Sequence, residues 1–144
     1  MQHLDPPEPL DWDERRLWFE EQEARLSARG VGRLSEQASA LMVELQCVFC
    51  AGAWAATVIL AAIIVETQAN AARSFRAAPA EDLRWLRSLR NRLLHEAPGE
   101  PVLTIEDHWT ARDEWEKAAR RAVGIALAVV YPERPADKRA GGER

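Results

Sequence analysis

Apolar positions recur at helical spacing along almost the whole chain, and no segment alternates with the period of two that a strand requires. The clearest run follows Ser35. Ala38, Leu41, Met42, Leu45, Val48 and Phe49 are separated by threes and fours, and Ser35 is a natural N-cap for them. Upstream, Asp11 with Glu14 three residues on reads as a capping box for a helix to about Ser27. Its apolar candidates are Leu17, Trp18 and Leu26, and Gly30 and Gly32 follow its end. A third helix is predicted from about Ala53 to Phe75, with Trp54, Val58, Ala62, Val65 and Ala69 on one face and a turn or kink at Ala51-Gly52. Pro79 suits the first turn of a fourth helix, whose positive end Glu81 and Asp82 favour. Leu83, Leu86, Leu89, Leu93 and Leu94 make its buried stripe, and Arg84, Arg87, Asn91 and His95 a polar one. Ala97-Pro98-Gly99 stops it. Thr104 with Asp107 opens a fifth helix that Trp109, Trp115, Ala119, Ala122, Val123, Ala126, Val129 and Val130 carry to Tyr131-Pro132. The pattern therefore predicts an all-α, antiparallel bundle of four to five helices over residues 11–132. A flexible arm, 1–10, precedes it, and a disordered tail, 133–144, follows.

One stretch admits another reading. Cys47 to Val65 is an uninterrupted apolar stretch with no charge between Glu44 and Glu66, long enough for a bilayer span, which needs ~20 residues. Much of the stretch is Ala and Gly, its flanks lack a Lys/Arg cluster, and Trp54 lies near its middle instead of at an interface. Gly52 suggests two helices in place of one. A central helix buried on all sides of a bundle produces the same pattern, and that reading is preferred over a small membrane-anchored protein.

Composition changes this picture little. At 144 residues, 47% apolar and 29% charged, the chain is long enough for one domain with a core. The net charge of −4 announces no nucleic-acid partner, yet Arg73, Arg76, Arg84, Arg87, Arg90 and Arg92 cluster against only Glu81 and Asp82. Such a cluster suits either phosphate or a solvated helix face. Two cysteines, and an N-terminus without a basic region or early apolar stretch, point to a cytoplasmic location. Cys47 and Cys50, lacking a second ligand pair, read as interior packing residues, not a metal or redox site. His108 reads as a surface residue and the six tryptophans mostly as core anchors.

Chemistry concentrates in Arg90-Asn91-Arg92-Leu93-Leu94-His95. Arg is a permanent cation whose planar fork matches phosphate, and His exchanges protons near neutral pH. One group could neutralise a phosphodiester while the other moves a proton. At ~100° per residue, five steps leave Arg90 and His95 about 140° apart around an ideal helix, whereas Asn91 and His95 share a face. The pair can converge if the last turn loosens, or if a second chain supplies half the site. The competing interpretation is a surface Arg plus a C-terminal His favoured by the helix dipole. Glu66, at the end of the apolar run, is either a surface residue or an ion-pair partner for Arg90.

From about Ser35 to Pro132 the chain resembles the HEPN superfamily of helical domains. Arg90-Asn91-x-x-x-His95 looks like that family's Arg-polar-x-x-x-His signature. Ala51-Gly52-Ala53-Trp54-Ala55-Ala56 through Ile63-Ile64-Val65-Glu66 is similar to its small-residue turn and long helix ending in Glu, and Ala118-Ala119-Arg120-Arg121-Ala122-Val123 to its closing helix. The resemblance implies a metal-independent endoribonuclease acting on single-stranded RNA as a homodimer, without metal or cofactor. By the same carry-over His95 is the acid/base, Arg90 stabilises the charged transition state, Asn91 orients His95 or the phosphate, and Glu66 positions Arg90. Arg84, Arg87 and Arg92 are candidate nucleic-acid contacts. Many members of the family are toxins or defence effectors restrained by an antitoxin or regulatory protein, while others bind nucleotides or proteins without known cleavage. A non-catalytic binding module is therefore the rival reading.

Overall fold

The computed structural model describes residues 3–29, 34–69 and 78–133, and what it describes is all-helical. Six helices run in order: α1 Pro9–Ser27, α2 Glu36–Cys50, α3 Trp54–Ala69, α4 Ala80–Leu94, α5 Asp107–Thr110 and α6 Arg112–Val130. Helix α3 is the central element, packing on α2, α4 and α6, while α1 lies against α2 and α6. Thr57, Val58, Ala61, Ala62 and Ile64 of α3 are all buried, which explains why that helix shows no polar face. No helix among the described residues is long and apolar enough to cross a membrane, because the uncharged run is divided between α2 and α3.

The division occurs at Gly52. Its φ of +73° is costly for any residue with a Cβ. Gly52 N–H donates to Phe49 C=O at 3.0 Å and Ala53 N–H to Val48 C=O at 2.9 Å, the Schellman pair that closes a helix whose C′ residue is Gly. Two arginines grip the same turn. Arg15 Nη1 donates to Cys50 C=O at 3.1 Å, and Arg112 Nη2 to Gly52 C=O at 3.0 Å. At α2's other end Ser35 Oγ accepts from Ala38 N–H at 3.1 Å, so the predicted cap is formed.

Several boundaries and burials differ from the sequence reading. Helix α1 begins at Pro9, not Asp11. Proline at N1 has its φ pre-set and lacks only an N–H that would be unpaired there anyway, so Asp11 falls in the first turn and caps nothing. On that helix Phe19 is buried, at 1%, while Leu17 is 57% exposed. Phe19 and Trp18 stack against Phe49 with centroids 6.0 and 5.1 Å apart. The expected fifth helix is divided into α5 and α6. The Thr104–Asp107 box does form, with Asp107 Oδ2 accepting from Thr104 N–H at 2.6 Å. Ala111 then leaves the helical region (φ −127°, ψ 25°) before α6 starts at Arg112. Leu94 and Trp109 are half-exposed rather than buried, and Trp12 also lies outside the core. Cys50 is interior but Cys47 is exposed, since Cys47 lies on the side of α2 that α3 does not cover. The expected end of the third helix at 70–75, the glycines at 30 and 32, and the tail beyond 133 lie outside the described residues.

Candidate active site

Helix α4 carries the Arg–His motif, and the sequence dictates where that helix ends. Leu86 is fully buried, and Leu83, Leu89 and Leu93 pack half-buried on the core, so the opposite side faces outward. Arg84, Arg87, Asn91, Arg92 and His95 are all exposed. Arg121 of α6 braces the start of α4 from the core side. Its guanidinium lies 4.2 Å from the centroid of Trp85 and donates to Asp82 at 2.7 Å.

The last helical residue is Leu94. His95 closes the final turn by donating its own N–H to Asn91 C=O at 2.9 Å, then departs from helical dihedrals with φ −129° and ψ 89°. Beyond it, Ala97 to Glu100 form a tight turn with Glu100 N–H donating to Ala97 C=O at 3.0 Å and Gly99 at φ +79°. Proline at the second position and glycine at the third are what a type II turn demands. The imidazole is thus carried on the frayed end of a helix, beside an exposed turn.

Arg90 is held differently. It turns toward α3 and forms an ion pair with Glu66, bridging the two helices. The guanidinium side chain is 21% exposed and the carboxylate 47%, so the pair sits at the rim of the interface, open to water on the Glu66 side. Arg90 Nε is buried and has no acceptor among the described residues. Of the seven residues singled out from the sequence, then, Glu66 and Arg90 are in contact. Asn91 and His95 are joined by a backbone hydrogen bond, and Arg84, Arg87 and Arg92 are exposed on α4 without an ion pair among the described residues. No hydrogen bond links Arg90 to His95 among the described residues, as the 140° offset requires.

The arrangement offers a rigid cation with an unused N–H, a solvent-exposed imidazole and further arginines along one exposed stripe. No group of three His, Cys, Asp or Glu residues that could hold a metal ion occurs among the described residues. Sequence reasoning overlooked the two arginines at the Gly52 turn, Arg15 and Arg112, whose guanidiniums lie 4.9 and 5.4 Å from the centroid of Trp54. Their only sequence signal was a helix-breaking glycine inside an apolar run, which marks a turn but not what approaches it. No family model matches the chain, and no curated protein or solved structure matches it either.

Proposed function

We propose that this chain is a HEPN-type, metal-independent endoribonuclease that acts as a homodimer, with Arg90, Asn91, His95 and Glu66 as its working residues. The observation that carries the proposal is the end of α4. Arg90 is braced by Glu66 of α3 while His95 stands exposed at the helix terminus. In the proposed reaction the ribose 2′-oxygen attacks phosphorus as its proton leaves. The bond from phosphorus to the 5′-oxygen breaks, and that oxygen takes up a proton. The products are a 2′,3′-cyclic phosphate and a 5′-hydroxyl, and no water is consumed. His95 moves a proton at one of the two oxygens. Arg90 offsets the charge that builds on the non-bridging oxygens. Asn91, one turn before His95, orients the imidazole or the phosphate. Arg84, Arg87 and Arg92 extend the cationic stripe along which single-stranded RNA lies. The open face of α4 is also where a second copy docks, bringing the Arg90 of one protomer toward the His95 of its partner across a two-fold axis. Such activity suits a toxin or defence effector of the cytoplasm.

Cleavage of single-stranded RNA in EDTA by wild type, His95→Ala and Arg90→Ala tests this. His95→Ala is expected to lose ~10²–10⁴-fold in rate. Equal RNA decay by wild type and His95→Ala, or none on varied substrates, overturns the enzyme reading. The second reading, a non-catalytic interaction module, is favoured by the Glu66 carboxylate that already neutralises Arg90 and by the net charge of −4. It takes over in that event.

A further inference from the structure

A second site lies at the Gly52 turn and shares no residue with the α4 motif. Between the turn, the start of α3 and the α5–α6 break is a cavity of about 210 Å³. Its apolar wall includes Leu4, Trp54, Leu103 and Trp115. Cavities of about 150 Å³ hold a benzene ring, so this one takes a ring and a small substituent.

The polar groups of that wall are mostly donors. Trp54 is 4% exposed, and its indole N–H has no acceptor among the described residues. Arg112 uses one N–H on Gly52 C=O, and the other four have no acceptor there. His108 is half-buried against the same space. The one carboxylate present, Asp107, turns Oδ2 to the N–H and hydroxyl of Thr104. Arg112 also walls an adjoining cavity with Arg15, together with Asp5, Glu8 and Asp11, none of which forms an ion pair with either guanidinium. The two guanidiniums converge over the Trp54 ring, and neither forms an ion pair with a described residue. Burial first, and the charge of Arg15 second, push the Arg112 guanidinium below its ordinary pKa. A guanidinium with free N–H groups beside an apolar hole, and a second guanidinium behind it, lack one component, an anionic acceptor attached to an apolar body.

We propose that this cavity binds a small aromatic carboxylate, its ring against Trp54, Leu103 and Trp115 and its carboxylate on Arg112. A carboxylate matches the planar fork of Arg112. It also relieves the repulsion between Arg112 and Arg15, which a neutral ligand of the same shape does not.

Benzoate is the probe and benzamide its uncharged counterpart. The Trp54 indole resonance of ¹⁵N-labelled protein, assigned from Trp54→Phe, is followed while each is titrated into the full chain. Benzoate is expected to shift that resonance saturably and to bind at least tenfold more tightly than benzamide. Ala56→Leu fills the cavity without touching a charge and should abolish the shift. No saturable shift, or equal affinity for the two probes, overturns the proposal. That comparison uses the unaltered protein, so it decides even if Ala56→Leu fails to fold.

Discussion

Replacing Glu66 separates a positioning role from a structural one, because the two make opposite demands on the same ion pair. The Glu66 side chain is 47% exposed and that of Arg90 21%. Ion pairs this open contribute ~0.2–1 kcal/mol, since water screens the charges and two long side chains are immobilised. Glu66→Gln removes the charge but leaves an oxygen that can accept from Arg90, so its cost in stability should be about 0.5 kcal/mol. Glu66→Ala removes the acceptor as well and should approach ~1 kcal/mol. The effect on catalysis should be larger. Without its brace the Arg90 guanidinium drifts, and a displacement of ~1 Å at a catalytic group can cost ~10²-fold. Urea unfolding gives the first quantity, and RNA cleavage in EDTA, resolved into kcat and KM, gives the second. The expected pattern is a kcat reduced about 10–100-fold with KM little changed, and Glu66→Gln falling between wild type and Glu66→Ala. A stability loss above ~2 kcal/mol with unchanged turnover per folded molecule would refute the reasoning, making Glu66 a structural strut.

Tyr131 is the only tyrosine, and its hydroxyl donates to Glu23 at 2.8 Å. Burial, and then the Glu23 carboxylate, push it up to about 12 from an ordinary value of 10.0. Its contribution to stability is fully present below pH ~10 and is lost as pH rises toward ~12, because the unfolded chain ionises first. Tyr131→Phe should therefore cost ~1–2 kcal/mol at pH 8 after allowance for solvent screening and flatten the alkaline fall in stability, read by denaturation at stepped pH. Cys47 is exposed while Cys50 is buried with its thiol pushed up, chiefly by burial, so a thiol reagent should label one site quickly and the second only on unfolding. Phe19→Ala should destabilise by ~3–5 kcal/mol and Leu17→Ala by no more than ~0.5 kcal/mol, by thermal or urea unfolding.

The all-helical class was legible because periodicity is a property of local sequence. Ser35 as a cap, a turn at Ala51-Gly52 and a helix stop near Ala97-Pro98-Gly99 each depend on a few adjacent residues, and each is found, the helix ending at Leu94 just before that stop. What was not legible depends on partners distant in sequence. Leu17 and Phe19 are both apolar, and only the direction in which α2 and Phe49 lie selects Phe19. Cys47 and Cys50 are three apart on one helix, yet burial separates them. The α5–α6 break follows no glycine or proline. Arg112, which starts α6, is tied to the Gly52 turn sixty residues earlier. At the candidate site, the Arg90–Glu66 contact was anticipated as one of two options, and helix geometry correctly kept Arg90 and His95 apart.

The N-terminal helix, which the family resemblance left unassigned, packs on α2 and α6. It is not an appendage. Phe19 enters the core, Arg15 holds the end of α2, Glu14 pairs with Arg120 of α6 at 3.2 Å, and Glu23 accepts from Tyr131 just past α6. Arg120 lies over the stacked Trp18 and Phe49, at 4.7 and 5.5 Å from their centroids, and pairs with Glu14 and Glu116, so its charge is spent inside this packing. Arg121 is likewise committed to Asp82 and Trp85, and Arg112 to the Gly52 turn. The arginines of α1 and α6 that reach the core thus serve as ties between helices. Those of α4 do not. Arg84, Arg87 and Arg92 have no such partner among the described residues, while α4 packs on the core through Leu83, Trp85, Leu86, Leu89 and Leu93. In a chain of net charge −4, Arg84, Arg87 and Arg92 gather positive charge on one exposed helix face. The proposed function puts RNA, and a second copy of the chain, on that face beside the exposed His95.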